Sequence, residues 1–328
     1  MTQPVQADAS TFDDVVLPSQ THVPLTRARS NLLLLVVALI WGSAFVAQAI
    51  AARTLGSLTF TGLRFALGAA IVAPFAWREW HMLRARGRQS RPRDWAHIAG
   101  LGTLLFLGAA MQQIGMLTTS VTNAGFLTAL YIPLVPVLGW IVSRHAPHWT
   151  TWLAAAGCVA GSWLLTGGGS VGAFRTGDWW VIASSLPWAV HVMLVGRAAN
   201  RLHGAMLVAC GQFVACSVLA LAIGLPTEPL TAQGLWQALG AIAYTGVLSV
   251  GVGFTLQVVA QRHTRPADSA IVLSSETVFA AASGALFMGD RIGGTGLAGC
   301  ALILACVLMV QLQPIVWRWF ADNRLKSA

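Results

Sequence analysis

The longest stretch of this chain without Asp, Glu, Lys or Arg runs from Trp95 to Ser143, over 49 residues. A helix rises about 1.5 Å per residue and roughly 20 apolar residues cross a bilayer core, so the stretch must cross twice. The polar run at 118–123 marks the predicted turn. Strands of a membrane barrel would alternate apolar and polar residues, whereas this stretch is continuously apolar. The chain is therefore predicted to be an all-α integral membrane protein.

Eight further apolar tracts raise the predicted number of transmembrane helices to ten. They cover residues 30–52, 54–77, 145–174, 179–196, 202–227, 229–261, 269–289 and 292–317. Only 9% of the residues are charged, against roughly a quarter in a soluble domain. This composition excludes a cytosolic enzyme, a disordered protein and a secreted disulfide scaffold.

Basic residues are distributed unequally between the two predicted sides of the membrane. If the amino terminus is cytoplasmic, 16 of the 20 Lys and Arg residues lie inside, three lie outside, and Arg64 lies within a span. This asymmetry predicts a multi-pass protein with both termini cytoplasmic. It also accounts for the net charge of +9 without a nucleic-acid partner.

Cofactor and nucleotide motifs are missing from the sequence. The five cysteines lie in apolar tracts without Cys-x-x-Cys spacing, which is typical of packing residues. The glycine run at 167–169 lacks the Gly-Lys-Ser/Thr of a phosphate-binding loop. We therefore predict no metal, no cofactor and no nucleotide, and a gradient as the energy source of any transport.

The second half of the chain repeats features of the first at offsets of 145 and 147 residues. The matched residues are Gly108 with Gly253, Gln112 with Gln257, and Trp41 with Trp188. Two halves of five helices must enter the membrane from opposite sides, because five is odd. Such inverted repeats are the plan of secondary transporters, in which the substrate binds near the midplane. The predicted organisation is a flexible cytoplasmic tail (1–29), two repeats (30–170 and 177–313) and a cytoplasmic tail (314–328).

Three short motifs make the chain similar to a known family. They are Trp-Gly-Ser-Ala-Phe at 41–45, Leu-Arg-Phe at 63–65, and Ser-Glu-Thr-Val-Phe at 275–279 followed by Gly-Asp-Arg at 289–291. Residues 30–312 resemble the EamA family of the drug/metabolite transporter superfamily. The resemblance implies a bacterial inner-membrane carrier, usually an exporter of amino acids or other small metabolites, with a cavity between its repeats. The chain departs from the family at Thr277, where Pro is common.

Arg64 and Glu276 are the two residues among Asp, Glu, Lys and Arg that lie in the apolar interior of predicted spans. An ionised side chain there costs about 2.5–3.5 kcal/mol on insertion scales, so each requires a protein-lined or watery environment. One interpretation is an ion pair that locks the halves together, or Arg64 bonded to backbone carbonyls. In the other, Arg64 binds a substrate carboxylate, and Glu276 accepts a proton or a substrate amine.

Six more residues complete the predicted substrate cavity, for which no catalytic role is expected. They are the amides Gln112 and Gln257, the hydroxyls Tyr131 and Ser275, and the indoles Trp41 and Trp188. Interhelical hydrogen bonding and helix packing are the alternative explanations. We predict a secondary transporter that exports small amphipathic metabolites by alternating access, with the bilayer and the metabolite as partners and protons as a candidate coupling ion. The alternatives are a membrane-embedded enzyme and a non-coupled channel.

Overall fold

A computed structural model describes residues 27–88, 91–144, 146–165, 175–289 and 291–326, and every regular element in these ranges is helical. The first half holds α1 (Arg27–Ala51), α2 (Ser57–Ala85), α3 (Pro92–Gly115), α4 (Val121–Thr128), α5 (Tyr131–Ser143) and α6 (Trp149–Leu165). The second half holds α7 (Thr176–Leu202), α8 (Ala205–Thr227), α9 (Ala232–Tyr244), α10 (Thr255–Gln261), α11 (Pro266–Leu273), α12 (Glu276–Ser283) and α13 (Gly294–Lys326). Two π-helical segments, Thr245–Phe254 and Gly284–Met288, follow α9 and α12.

The predicted all-helical membrane fold is confirmed, and ten is an approximate number of spans. Within the described ranges, eight helical stretches are long and apolar enough to cross a membrane. Two further helical segments are shorter than these eight. They are the apolar part of α13, Gly294–Met309, and the described part of α6, which has 17 residues. The first helix already includes Arg27, three residues before the predicted start at Ser30. The rest of the predicted amino-terminal tail and residues 166–174 of the fifth predicted span lie outside the described residues.

Polar side chains fix where several helices begin. Ser120 caps α4 by accepting a hydrogen bond from the Asn123 backbone N–H at 3.2 Å, within the polar run that predicts a turn. Asp94 and Asp178 accept from backbone N–H groups at the starts of α3 and α7, at 2.9 and 2.8 Å. Such caps satisfy donors that have no partner inside the helix.

The two halves pack reciprocally. Helix α1 contacts the α9–α10 stretch and the α11–α12 stretch of the second half, while α7 contacts α3, α4 and α5 of the first half. Helices at corresponding positions also pack together, α2 against α8 and α6 against α13. Two halves related by a two-fold axis would make these contacts.

Polarity increases towards the interior of the bundle. Large apolar side chains such as Trp236 and Leu286 are exposed, where lipid would cover them. Amide and ionisable side chains are instead buried between the halves, among them Gln48, Arg64, Gln257 and Glu276. The inter-half interface therefore contains a group of buried polar side chains that are shielded from lipid.

The fourth and ninth predicted spans are each broken into two helices at matching positions. Residues 129–130 separate α4 from α5, and 274–275 separate α11 from α12. The next residues are Tyr131 and Glu276, which are 145 positions apart. In the second break, the hydroxyls of Ser274 and Ser275 donate to the Ile271 and Val272 carbonyls at 2.6 and 2.7 Å. The break therefore forms beside Thr277 without the proline common in the family.

Candidate functional site

A central cavity lies between the two halves, and about 50 Å³ of it admits water. Its walls come from both halves and are Trp41, Phe45, Gln48, Arg64, Gln112, Thr128, Tyr131, Trp188, Val192, Ser249, Phe254, Gln257 and Glu276. Seven of the eight predicted site residues are among them. The eighth, Ser275, is fully buried in the break between α11 and α12, and its hydroxyl donates to the Val272 carbonyl of α11. The structure thus brings the predicted set together apart from Ser275.

Arg64 and Glu276 line the same cavity without forming an ion pair. Their exposed fractions are 4% and 3%. The two ion pairs found in the described part of the chain join other residues, Arg27 to Asp268 and Arg201 to Asp94. The Arg64 guanidinium carbon lies 5.3 Å from the Phe60 ring centroid and 5.4 Å from that of Phe65. Aromatic faces therefore hold this cation where a carboxylate would otherwise be expected.

Several buried polar atoms around the cavity have no hydrogen-bond partner. They are Arg64 Nε, Glu276 Oε1, the Tyr131 hydroxyl, and both amide atoms of Gln257. A buried polar atom without a partner costs about 1–3 kcal/mol. Native structures rarely leave so many groups unsatisfied in one place unless water or a ligand reaches them. The cavity is therefore equipped to bind a polar solute.

The amide of Gln112, which the repeat matches to Gln257, has hydrogen-bond partners at both its oxygen and its nitrogen. Gln112 Oε1 accepts from Trp188 Nε1 at 3.0 Å and from the Thr128 hydroxyl at 3.5 Å. Gln112 Nε2 donates to Gln48 Oε1 at 3.3 Å. The two halves thus differ in chemistry, because the Gln112 side is a closed network and the Gln257 side is unpaired.

Phe254 is the centre of the aromatic wall and is absent from the sequence-predicted site. Its ring centroid lies 4.5 Å from that of Trp41, 5.8 Å from Trp188 in a stacked arrangement, and 5.8 Å from Phe65. A phenylalanine among apolar neighbours gives no signal by itself, although it follows the repeat-matched Gly253. Gln48 is also new to the set, and as an amide within the first predicted span it was detectable.

The two tryptophans each pack against a glycine of the opposite half. A Cβ placed on Gly108 would lie 2.8 Å from Trp188 Cε2, and one on Gly253 would lie 2.8 Å from Trp41 Nε1. Trp41 Nε1 also donates to the Ser249 carbonyl at 3.2 Å. These repeat-matched glycines are needed because an added methyl group would displace the indole rings.

Gly108→Ala and Gly253→Ala are expected to lower the free energy of unfolding by about 1–3 kcal/mol, since both overpack a buried ring. Thermal unfolding in detergent measures the effect. Gly100→Ala and Gly240→Ala are matched controls on the same spans, because a Cβ there meets no atom within 4 Å. The controls should be neutral or stabilising, as alanine favours helices. Equal melting temperatures for Gly108→Ala and Gly100→Ala would contradict the packing argument.

Contacts between the halves lie at both ends of the cavity. At one end, Arg27 of α1 forms a 2.8 Å ion pair with Asp268 of α11. At the other, Thr118 accepts from the Arg175 side chain at 3.2 Å and from the Gly177 backbone at 2.9 Å. The neighbouring Thr119 hydroxyl donates to Asp178. Each set joins one half to the other, so it must break before the halves separate there.

A second, more polar space lies beyond the Thr118 end and has a volume of about 390 Å³. Arg53 and Arg175 are among its walls, together with Thr118, Thr119 and Ser120. A buried apolar cluster packs between the α3–α4 turn, α1 and α12, and comprises Phe45, Val46, Met116, Val121, Ala124 and Ala280. This cluster contributes Phe45 to the cavity wall and Met116 and Val121 to the wall of the second space.

Comparison with known proteins identifies the family. The profile of the EamA-like transporter family matches residues 28–167 and again 175–312. The chain belongs to this family. The resemblance predicted from the three sequence motifs is thereby confirmed, and the protein is a multi-pass membrane transporter.

Relatives of this EamA-family chain include proteins named as exporters. It is 26% identical over 287 residues to an uncharacterized transporter of Archaeoglobus fulgidus, covering 88% of this chain and 87% of that one. It is 28% identical over 268 residues to the threonine/homoserine exporter RhtA of Salmonella typhimurium, covering 79% and 84%. A solved crystal structure matches with a TM-score of 0.69 at 18% identity, covering 87% of this chain and 97% of the other, which shows a shared fold.

Proposed function

We propose that this EamA-family protein exports small zwitterionic metabolites, amino acids such as threonine and homoserine among them, by alternating access. The observation that carries the proposal is the placement of an unpaired guanidinium and an unpaired carboxylate in one aromatic-walled cavity. Within the described part of the chain, Arg64 and Glu276 have no partner of opposite charge. A zwitterion would supply both partners, a carboxylate for Arg64 and an ammonium group for Glu276. The relatives named as threonine/homoserine exporters support the substrate class.

Each charged group has a defined role in this proposal. The planar guanidinium of Arg64 binds the substrate carboxylate through paired N–H donors. Glu276 accepts a hydrogen bond from the substrate ammonium or binds a proton when the site is empty. The Tyr131 hydroxyl and the Gln257 amide, which have unpartnered atoms, are suited to a polar substrate side chain such as a hydroxyl group.

Transport requires the halves to move, because the cavity is small in this conformation. Space of about 50 Å³ holds only a few water molecules, whereas sites for small molecules usually measure about 300–1,000 Å³. Rocking of one half against the other would open the two ends in turn. The Arg27–Asp268 ion pair closes one end, and the Thr118–Arg175 contacts with the apolar cluster around Phe45 close the other.

The orientation we propose places both termini in the cytoplasm and the protein in the bacterial inner membrane. Its support is the excess of Lys and Arg on the side of the α2–α3 connection. In this orientation the Arg27–Asp268 pair is the cytoplasmic gate. The space lined by Arg53 and Arg175 is then the exit on the outer side, where arginines attract a departing carboxylate.

Counterflow in proteoliposomes tests the proposal. Vesicles loaded with unlabelled threonine or homoserine are expected to accumulate external labelled substrate transiently, several-fold above protein-free vesicles, because a carrier exchanges one molecule for another. A channel would admit label without stimulation by internal substrate, and an enzyme would change the label chemically. Absence of stimulation by threonine, homoserine and a panel of other amino acids would refute the proposed substrate class.

A further inference from the structure

We propose that a groove on the outer surface of the bundle, formed by α2, α3 and α8, is a specific binding site for an anionic phospholipid. The groove is separate from the central cavity and has a volume of about 730 Å³. Its walls include Ala99 on α3 and Val214 and Val218 on α8. The proposal does not depend on which solute the protein transports.

The dimensions of the groove fit one acyl chain. Along α8 its lining extends from Leu207 to Leu219, a distance of about 18 Å at 1.5 Å per residue. This exceeds half the roughly 30 Å thickness of a hydrocarbon core, so the groove reaches through one leaflet. The lining is almost entirely apolar, as an acyl chain requires.

Aromatic residues mark one end of the groove as the level of the lipid headgroup. Trp77, Trp80 and Trp95 all line that end, near the connection between α2 and α3. The Trp77 and Trp80 ring centroids are 5.4 Å apart, and the Arg84 guanidinium carbon lies 4.7 Å from the Trp80 ring. Tryptophan favours the membrane–water interface, so a lipid in this groove would place its phosphate beside Arg84.

The charges at this end favour a headgroup with net negative charge. The segment 78–94 contains six arginines and only two acids, Glu79 and Asp94. Both acids bond to the protein itself: Glu79 accepts from the Leu207 N–H at 2.8 Å, and Asp94 from the Arg91 N–H at 2.9 Å. The exposed arginines are therefore in excess, and clusters of this kind beside a membrane bind anionic lipids.

Native mass spectrometry of the purified protein with phosphatidylglycerol or phosphatidylcholine of the same chain length tests this site. We expect phosphatidylglycerol to be retained at about tenfold lower concentration. Arg84→Gln should reduce the preference, because it removes the arginine nearest the expected phosphate while the other arginines of segment 78–94 remain. Ala99→Trp should lower retention of both lipids by filling the groove. Arg291→Gln, on the predicted outer side of the bundle, and Leu239→Trp, on another exposed surface, are controls that should retain both lipids like the unmodified protein.

Three results would overturn the proposal. The first is equal retention of the two lipids by the unmodified protein, a comparison that holds even if a variant fails to fold. The second is unchanged lipid retention in folded Arg84→Gln and Ala99→Trp. The third is complete displacement of phosphatidylglycerol by millimolar glycerol phosphate, which would show a site for a free phosphate ester and not for a lipid.

Discussion

Arg64→Met is expected to reduce threonine counterflow at low substrate concentration by about tenfold or more without lowering the melting temperature. A hydrogen bond to a charged group contributes about 1.5–3 kcal/mol, which corresponds to roughly a 10- to 150-fold change in affinity. Because Arg64 has no carboxylate partner in the structure, its removal strands no buried acid. Initial exchange rates over a range of substrate concentrations, with thermal unfolding alongside, measure both effects.

Arg64→Lys and Arg197→Met are the matched variants for this experiment. Lysine keeps the charge but loses the planar fork, so Arg64→Lys should be intermediate. Arg197 is exposed on α7 and is not in the cavity wall, so Arg197→Met should transport normally. If Arg64 instead serves the fold through an ion pair with Glu276, Arg64→Met would melt at a lower temperature, and neutralising Glu276 as well would restore it. Wild-type exchange by a folded Arg64→Met protein would contradict the substrate role.

Glu276→Gln is expected to remove the stimulation of net transport by a pH gradient while exchange at equal pH stays measurable. Exchange needs no net proton movement. Glutamine has nearly the same shape as glutamic acid, but its side-chain amide does not bind and release a proton near neutral pH. The other ionisable side chains in the cavity wall are Arg64 on α2 and Tyr131 on α5. Net efflux with and without a gradient, compared with exchange in the same vesicles, measures the coupling.

Tyr131→Phe is the control for the proton-coupling experiment. Tyr131 lines the same cavity as Glu276, and loss of its hydroxyl should leave the response to the gradient intact. An unchanged gradient response in Glu276→Gln would exclude Glu276 as the coupling residue. Loss of both exchange and gradient response would show that Glu276 is needed to bind the substrate itself.

Local composition was sufficient to predict the membrane-helical fold. Apolar runs such as Trp95–Ser143 permit few other structures, because a bilayer core offers no water to unpaired backbone groups. The same reasoning selects Arg64 and Glu276, since a charge inside an apolar run needs a protected environment. The exact span count was less accessible, because in the described ranges only eight helical stretches are long and apolar enough to cross a membrane.

Tertiary structure alone decides how the selected residues meet. Whether Arg64 pairs with Glu276 depends on the distance between α2 and α12, which are 212 positions apart in sequence at these residues. Gln112 and Gln257 match in the repeat, yet only packing makes one a bonded member of a network and leaves the other unpaired. Phe254 belongs to the site because a π-helical segment brings it against Trp41 and Trp188. The sequence determines which side chains must avoid lipid, because that cost is local, whereas their partners are set by contacts between helices far apart in the chain.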